Sequence, residues 1–294
     1  TPAPASMAMM GPAAMKGPAP GMASRPIPAS QPSAPPTIAP DAAAVALLPD
    51  SIKESGMLDM GVDATYPPNE YKDAEGNPIG WDIELANAVA AKLGLKPMWT
   101  VAAFANIIPS VKGDKVAMGV SSFTDNAERQ QQVNFVDYYQ AGILWASAAG
   151  NNVDPDNACG LKVAVQATTY EHTDEVPAKS EACVKAGKAP IDIKPFDTQD
   201  AATTAVALGQ VDAMSADSPV TAYAIAQSKG KLQAAGSAFE VAPYGYALSK
   251  TLGLDKAVQA AVQSLMDDGT YKAILTKWGV QDGAIPAAVI NGGK

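Results

Sequence analysis

The sequence predicts an α/β protein with two lobes that are joined by two extended segments and separated by a cleft. A rhythm of strand, helix, strand, helix and strand runs through residues 58–120, and the same rhythm returns in residues 161–228. Two apolar extended stretches, 143–149 and 244–248, follow the first and second copies. Because strands that alternate with helices form parallel sheets, each copy predicts one lobe. The extended stretches are the expected crossings between them.

The first copy is defined by short apolar runs and stretches of helical periodicity. Strands are predicted at 58–62, 97–101 and 116–120, and helices at 81–93 and 104–111. Gly94 stands just after the first of these helices, where a left-handed residue commonly ends a helix. A shorter helix is predicted around Arg129, followed by an aromatic segment.

The second copy and the C-terminal region complete the two lobes. Strands are predicted at 161–165, 191–193 and 211–215, and helices at 169–186, 200–208 and 218–228. Two further helices, 257–266 and 270–278, have apolar faces that can cover a sheet. We therefore expect one lobe from residues 45–144 plus 244–294 and a second lobe from residues 145–243.

The first 44 residues are predicted to form a disordered tether. Eleven of the 24 prolines fall within the first 40 positions, among Ala, Ser and Met with almost no charge. Such a segment cannot bury enough apolar surface to offset its ordering entropy. Its methionines are irregularly spaced, which argues against a metal-binding repeat.

Composition excludes several classes of function. The net charge of −9 argues against nucleic acid and anionic membranes as partners. No apolar stretch reaches the roughly 18 residues of a membrane span. The chain begins with Thr and shows no signal sequence, so we expect that any signal has already been removed.

Cys159 and Cys183 are the only cysteines. They could form a disulfide, which would indicate an oxidising compartment, or they could be two buried thiols. A single pair without a Cys–His spacing argues against a metal site, and the sequence indicates no cofactor.

Arg129 is the only arginine outside the N-terminal segment, since the other is Arg25. Its planar guanidinium can hold a carboxylate through two parallel hydrogen bonds, which a lysine cannot do. Ser122 and Thr124 precede it at the end of a predicted strand and could complete an anion site. The alternative is a surface arginine in an ordinary salt bridge.

Further candidate residues stand at the carboxyl ends of the predicted strands, where ligands bind in open α/β sheets. They are Asp63, Tyr66, Phe104, residues 166–169 and Asp217. Each has a structural alternative: Asp217 precedes Ser218-Pro219 as a helix N-cap would, Tyr66 could pack a turn, and Phe104 could belong to the core.

Several motifs occur in order from about residue 55 to 280. They are Asp63-Ala64-Thr65-Tyr66-Pro67-Pro68, Gly80-Trp81-Asp82-Ile83-Glu84, Ser122-Phe123-Thr124 with Glu128-Arg129, Leu208-Gly209-Gln210-Val211-Asp212 with Asp217, and Asp268-Gly269-Thr270-Tyr271 with Lys277-Trp278-Gly279. This ordered set resembles the bacterial polar-amino-acid-binding proteins of ABC importers, solute-binding protein family 3, and most closely its actinobacterial members. The resemblance implies the type II periplasmic-binding-protein fold.

The resemblance also implies a role for each candidate residue. Arg129 would hold the ligand α-carboxylate with Thr124 and the backbone near Ser122, and Asp217 would hold the α-ammonium. Tyr66 and Phe104 would enclose the side chain, and Asp63 would contact its distal polar group. Thr168 and Thr169 fall where the family places Gly-Thr, but here the glycine is missing and the segment is one residue shorter.

The function implied is capture of a free polar amino acid outside the cytoplasm and its delivery to a membrane permease, by a monomeric, non-enzymatic protein tethered to the membrane, for example as a lipoprotein. Alternatives are a ligand-sensing receptor domain and an enzyme of the cyclohexadienyl dehydratase type on the same fold. The cleft residues offer no His, reactive Cys or metal site for such chemistry. Asp63 favours a neutral amide or basic ligand over an acidic one, without identifying it.

Overall fold

The computed structural model describes residues 37–294. Residues 1–36 of the predicted tether therefore lie outside the described part of the chain. From Ile38 onward the chain forms one compact unit. This unit begins earlier than residue 45, because Ala44 on the first helix is fully buried in the core and the Asp41 carboxylate caps that helix.

The strands follow the predicted order, with changes in length. They are β1 (Met57–Val62), β2 (Thr65–Tyr66), β3 (Glu70–Lys72), β4 (Pro78–Ile79), β5 (Lys96–Val101), β6 (Met118–Thr124), β7 (Asn134–Ala148), β8 (Lys162–Gln166), β9 (Asp192–Phe196), β10 (Ala213–Asp217), β11 (Leu232–Leu248) and β12 (Val289–Ile290).

Eight of the ten helices in the described residues correspond to predicted helices, and the first two were not predicted. The helices are α1 (Ala42–Ala46), α2 (Asp50–Ser55), α3 (Trp81–Lys92), α4 (Phe104–Lys112), α5 (Ala127–Gln130), α6 (Val176–Lys185), α7 (Gln199–Ala207), α8 (Ser218–Gln227), α9 (Asp255–Asp267) and α10 (Thr270–Trp278). A π-helical turn, Glu171–Glu175, leads directly into α6, and short 3₁₀ turns occupy Pro155–Asn157 and Gln281–Gly283. Within residues 37–294 no helix is both long and apolar enough to cross a bilayer.

Within the described residues, nine strands form one continuous sheet in the order β5-β1-β6-β11-β7-β10-β8-β9, with β12 added on β7. The β5-β1-β6 group and the β10-β8-β9 group are each parallel. The long strands β7 and β11 run antiparallel to each other through both groups. The predicted architecture of two α/β lobes joined by two hinge strands is confirmed.

The hinge strands are much longer than the apolar stretches that predicted them. β7 begins at Asn134 rather than at 143, and β11 begins at Leu232 rather than at 244. Polar residues interrupt their apolar pattern, but the two strands pair with each other and so satisfy their backbone groups. Their register shifts three times between Ala235 and Gly245, where bulges or irregularities interrupt the pairing.

The hydrophobic core is divided in the same way as the sheet. Ala141 and Tyr244 belong to a cluster with β1, α3 and α9, whereas Ile143 and Ala235 belong to a cluster with β8 and α6. A small separate cluster joins Tyr66 to Ala216 and Val220. Two cores that meet at a few side chains are the packing expected of two lobes around a cleft.

The second lobe contains a disulfide. Cys159, just before β8, is bonded to Cys183 near the end of α6 with a Cα–Cα distance of 5.6 Å. The structure thus supports the disulfide among the alternatives left open by the sequence. The bond fixes α6, the helix that continues from the π-helical turn, to the edge of the second core.

Candidate functional site

A narrow cavity lies between the carboxyl ends of the two parallel strand groups. Both lobes supply its walls. It is lined by Asp63, Tyr66, Phe104, Ser121, Ser122, Thr124, Arg129, Gln166, Thr169, Tyr170, Glu171 and Asp217. Eight of the nine residues predicted as ligand contacts are in this set, and Thr168 is the exception.

Arg129 is held in place by backbone groups on both sides of the cleft. The Asn126 side chain caps α5 by accepting the Arg129 N–H at 2.9 Å. The guanidinium then donates Nη1–H to the Thr124 carbonyl at 2.9 Å and Nη2–H to the Thr168 carbonyl at 3.1 Å. Of the salt bridges formed by residues 37–294, none involves Arg129. The structure therefore does not use Arg129 as a surface salt-bridge partner.

Two aromatic rings support the same guanidinium. Its Cζ lies 5.7 Å from the centroid of the Phe104 ring and 5.8 Å from that of Phe123. The two rings stack on each other at 4.8 Å. Cation–π contacts of this kind hold the planar group in one orientation without neutralising its charge. The charge thus remains available to an anion.

Asp217 faces Arg129 from the other lobe, as the last residue of β10. It precedes α8, but its side chain makes no capping hydrogen bond to that helix. Instead its Oδ2 accepts a hydrogen bond from Tyr244 Oη at 2.7 Å, and its backbone N–H donates to Tyr66 Oη at 3.0 Å. Burial raises the pKa of the Asp217 carboxyl. A buried carboxyl of this kind favours a cationic partner.

Asp63 occupies another part of the cavity, at the end of β1. Its Oδ1 accepts from Thr65 Oγ1 at 2.6 Å, and its Oδ2 accepts from the Phe104 backbone N–H at 2.9 Å and from Gln166 Nε2 at 3.1 Å. Burial again raises the carboxyl pKa, against the effect of these donors. The cavity therefore has an Arg129–Asp217 end and an Asp63–Gln166 end.

The hydroxyl residues before Arg129 lie on β6 itself and not beyond its end, because β6 extends to Thr124. Ser122 has a left-handed backbone with φ of 51°. Its hydroxyl donates to Glu70 Oε1 at 2.6 Å and accepts from Asn69 Nδ2 at 2.9 Å. The Ser122 side chain is thus occupied by buried partners beneath the cavity. Thr124 contacts Arg129 through its carbonyl.

The two threonines after β8 have different positions. Thr169 lines the cavity and donates its hydroxyl to the Gln166 carbonyl at 2.8 Å. Thr168 is exposed, has a φ of 65°, and contacts Arg129 through its carbonyl. A threonine therefore adopts the backbone conformation that the missing family glycine would adopt most easily.

Sequence reasoning missed Glu171, which lines the cavity with only 2% of its surface exposed. It begins the π-helical turn, and its Oε1 has no hydrogen-bond partner in the part of the chain that the structure describes. The segment was predicted only as a polar helix. The available signal was its position three residues after Thr168, at the carboxyl end of β8.

The two lobes touch across the cleft. Besides the Arg129–Thr168 and Tyr66–Asp217 contacts, Gln166 bonds to Asp63, and the Gln199 backbone N–H donates to Thr65 Oγ1 at 3.3 Å. These polar contacts join residues of the two lobes directly. The described conformation is therefore a closed one.

The comparisons with known proteins agree with this geometry. Residues 58–281 match the family of bacterial extracellular solute-binding proteins, family 3. The chain is 40% identical to the arginine-binding protein ArgT of Corynebacterium glutamicum, over 84% of this chain and 82% of that protein.

Two solved structures share the fold. An ancestral arginine-binding protein bound to arginine matches with a TM-score of 0.70 and 31% identity, over 76% of this chain and 98% of that one. The ancestral amino acid-binding protein AncCDT-1, a precursor of cyclohexadienyl dehydratase, matches with a TM-score of 0.67 and 31% identity, over 78% and 98%. From these matches, the protein belongs to the bacterial extracellular solute-binding proteins of family 3.

Proposed function

We propose that the protein captures a cationic amino acid, with L-arginine as the leading candidate, and delivers it to the membrane permease of an ABC importer. Amino-acid binding is the function of its relatives, and the arginine-binding names of two of them support this choice. The single observation that carries the choice of a cationic ligand is the balance of charged groups around the cavity.

Acidic groups outnumber the cation in this cavity. Among the described residues that line it, the charged side chains are Asp63, Glu171, Asp217 and Arg129. An amino acid zwitterion offers one carboxylate and one ammonium, which Arg129 and Asp217 can match. The remaining buried carboxyls would be left uncompensated by a neutral ligand and repelled by an acidic one. A ligand with a second positive charge compensates one of these two carboxyls and so reduces that penalty.

In the proposed pose the ligand spans both ends of the cavity. The α-carboxylate binds the Arg129 guanidinium, helped by Thr124 and by the backbone near Ser122, and displaces the carbonyl contact with Thr168. The α-ammonium binds Asp217. The aliphatic part of the side chain lies between Tyr66 and Phe104, and its distal cation reaches Asp63.

The remaining polar residues complete the enclosure. Thr169 lines the cavity with a hydroxyl bonded to the Gln166 carbonyl, and the Gln166 side chain bonds to Asp63 from the second lobe. Arg129 and Asp217 lie on different lobes. The ligand can therefore contact both of them, away from water, only when the cleft is closed. Closure is then favoured by the difference in ligand affinity between the closed and open forms.

We infer lobe boundaries near residue 144 on the outward crossing and residue 243 on the return. The division of the hydrophobic clusters between Ala141 and Ile143, and between Ala235 and Tyr244, supports these positions. The irregular register of β7 and β11 in the same region supports a hinge there, since a bulge interrupts the regular ladder.

The family is extracellular, and we propose that this protein acts as a monomer outside the cytoplasm, held at the membrane through its N-terminal segment. The disulfide is consistent with an oxidising compartment.

We further propose that the ligand is released unchanged. An enzyme is the second candidate, and one observation favours it: Glu171 is a buried carboxyl in the cavity that could act as a general acid. Mass spectrometry of candidate amino acids and of a prephenate-like acid after incubation separates the two. Unchanged compounds agree with a receptor, and a dehydrated product would establish catalysis.

Isothermal titration calorimetry with the twenty amino acids tests the proposed function. We expect the tightest binding with arginine or lysine and no measurable binding of glutamate. Saturable binding of glutamate tighter than that of arginine, or no binding of any amino acid, would contradict the proposal.

Two Arg129 variants test the pose. Arg129→Ala removes both parallel donors and should weaken binding by at least about a hundredfold, since the ligand carboxylate loses its charged partner. Arg129→Lys keeps the charge but not the forked geometry and should recover only part of this loss. Circular dichroism of both variants should match the parent spectrum. An unchanged dissociation constant in Arg129→Ala would remove Arg129 from the site.

A further inference from the structure

The Glu171 carboxyl is the cavity group whose role the proposed pose leaves open. It lines the same narrow cavity as Asp217, whose carboxyl is near enough to raise the pKa of Glu171. Only 2% of Glu171 and 8% of Asp217 is exposed to solvent. The Oε1 atom of Glu171 is buried and has no hydrogen-bond partner among residues 37–294.

The groups around this pair show where its charge is balanced. Arg129 faces it from α5, Tyr66 from β2, and Tyr244 from β11 through its bond to Asp217. The same turn carries two further titratable side chains, His172 and Glu175, and burial raises the pKa of Glu175 to about 7. No lysine is among the described residues that line the cavity. A single guanidinium therefore faces two adjacent carboxyls.

Two adjacent buried carboxyls cannot both ionise without a strong repulsive penalty. Burial, and then the neighbouring Asp217, raise the pKa of Glu171 well above its usual range. We therefore expect the pair to keep one proton in the closed cleft, shared between the two carboxyls. The same pair offers four oxygen atoms at the end of the cavity where the proposed function places the ligand ammonium.

We propose that Glu171 is a second carboxyl ligand of the α-ammonium group, and that the Glu171–Asp217 pair releases one proton when that group enters. This inference rests on the proposed function. The balance is simple: a pair holding one proton and one negative charge exchanges its proton for the ligand ammonium, and the proton goes to solvent. Both carboxylates then accept hydrogen bonds from the same ammonium group.

The arrangement makes affinity depend on pH. A proton competes with the ligand for the pair, so the association constant should rise with pH by up to about tenfold per unit while the pair still holds its proton. Above that range it should level off. Without Glu171 the pair loses its shared proton, and this dependence should disappear.

The first experiment needs no variant. L-arginine is titrated into the protein by calorimetry between pH 5.5 and 8.5, in two buffers of different ionisation enthalpy. We expect proton release that approaches one per ligand at the acidic end and an affinity that rises with pH. Arginine binding without proton release would overturn this inference and leave the proposed function intact. No arginine binding at all would instead count against the proposed function, and with it this inference.

The Glu171→Gln variant then tests whether the released proton comes from the Glu171–Asp217 pair. This variant keeps the size of the side chain, and we expect it to abolish the release and to weaken binding at pH 8 by roughly tenfold or more. Asp63→Asn serves as a comparison at the other end of the cavity and should retain most of the release. Release that persists in Glu171→Gln and disappears in Asp63→Asn would overturn the inference. Asp174→Asn, on the same turn, is the matched control and should behave like the parent.

A ligand that lacks the α-ammonium shows whether Glu171 binds that group directly or acts only by positioning Arg129. The probe is 5-guanidinopentanoate, which keeps the carboxylate and guanidinium of arginine. If Glu171 binds the ammonium, Glu171→Gln should weaken arginine much more than the probe. An equal loss for both ligands would show that Glu171 acts only through Arg129 and would contradict the proposal.

Discussion

At the scale of single residues, the candidate site combines one arginine with three buried carboxyls. Arg129 could be predicted because it is the one arginine after the N-terminal segment, and a forked cation at a strand end indicates a carboxylate ligand. Asp217 could be predicted from its position at a strand end. Glu171 was missed although it follows β8, because its burial depends on a π-helical turn that apolar periodicity does not show.

The backbone of Thr168 is a second residue-scale feature that sequence alone did not define. The family resemblance indicated a missing glycine, and the structure shows Thr168 at φ 65° with its carbonyl bonded to Arg129. A β-branched residue in this region is strained, typically by about 1–3 kcal/mol. In the closed form the Thr168 carbonyl accepts a hydrogen bond from Arg129, and this is the contact that the proposed ligand would replace.

We expect Thr168→Gly to raise the free energy of unfolding by about 1 kcal/mol, because relief of strain exceeds the entropy that glycine adds to the unfolded chain. Urea denaturation measures this. Thr168→Ala retains a Cβ atom and so should gain much less, which makes it the matched control. A glycine variant less stable than the parent would show that Thr168 is not strained.

At the scale of elements, strand and helix order could be predicted, but the full lengths of the hinge strands could not. Local pattern shows a strand only where apolar residues alternate or cluster, whereas β7 and β11 extend through polar residues because they pair with each other. The C-terminal residues likewise carried no recognised pattern. In the structure, Val289 and Ile290 form β12 against β7.

These C-terminal residues hold the segment that carries Arg129. The Gly293 N–H donates to Asp125 Oδ2 at 2.8 Å, and Gln130 Nε2 donates to the Gly293 carbonyl at 3.0 Å and to Asp125 Oδ1 at 2.8 Å. Asp125 immediately precedes the cap of α5. Because α5 spans only Ala127–Gln130, it has little stability of its own.

We expect Gly293→Ala to weaken amino-acid binding about three- to tenfold by displacing this contact, since small shifts of a charged contact have effects of this size. An added Cβ would lie 1.9 Å from the Asp125 carbonyl oxygen, so the tail must move. Titration calorimetry measures the change, with Lys294→Ala as the control. An affinity equal to that of the parent in Gly293→Ala would mean that the position of α5 does not depend on the contacts of Gly293.

At the scale of the whole molecule, the buried acids make stability depend on pH. Burial raises the pKa of Glu175 to about 7 and that of Asp137 to about 8. Glu175 accepts hydrogen bonds from Trp145 Nε1 at 3.0 Å and Ser215 Oγ at 2.8 Å, so it is fixed inside the second lobe. Within the range between their unfolded and folded pKa values, the folded protein holds more protons than the unfolded chain.

The sign follows from this difference in bound protons. Stability falls as pH rises wherever the folded state binds more protons, so the free energy of unfolding should decrease from about pH 4.5 to 8. Each of the two groups contributes a slope of at most about 1.4 kcal/mol per pH unit within its own range. Urea denaturation at several pH values measures it. Glu175→Gln should make the dependence shallower, and a stability that rises over this range would contradict the assignment.

The two-lobed architecture could be predicted as a whole because the strand–helix rhythm occurs twice and the family motifs occur in order. The closed cleft could not, since it depends on contacts such as Gln166 with Asp63 that join residues far apart in sequence. The account of function depends on this closure, because Arg129 and Asp217 can bind one amino acid only when the lobes meet.

The most direct test is a crystal structure of the protein grown with L-arginine. The account predicts both α-carboxylate oxygens within about 3 Å of the Arg129 guanidinium, the α-ammonium on Asp217, and the ligand guanidinium directed at Asp63. A ligand bound in the reverse orientation, or held outside the cavity between the lobes, would contradict it.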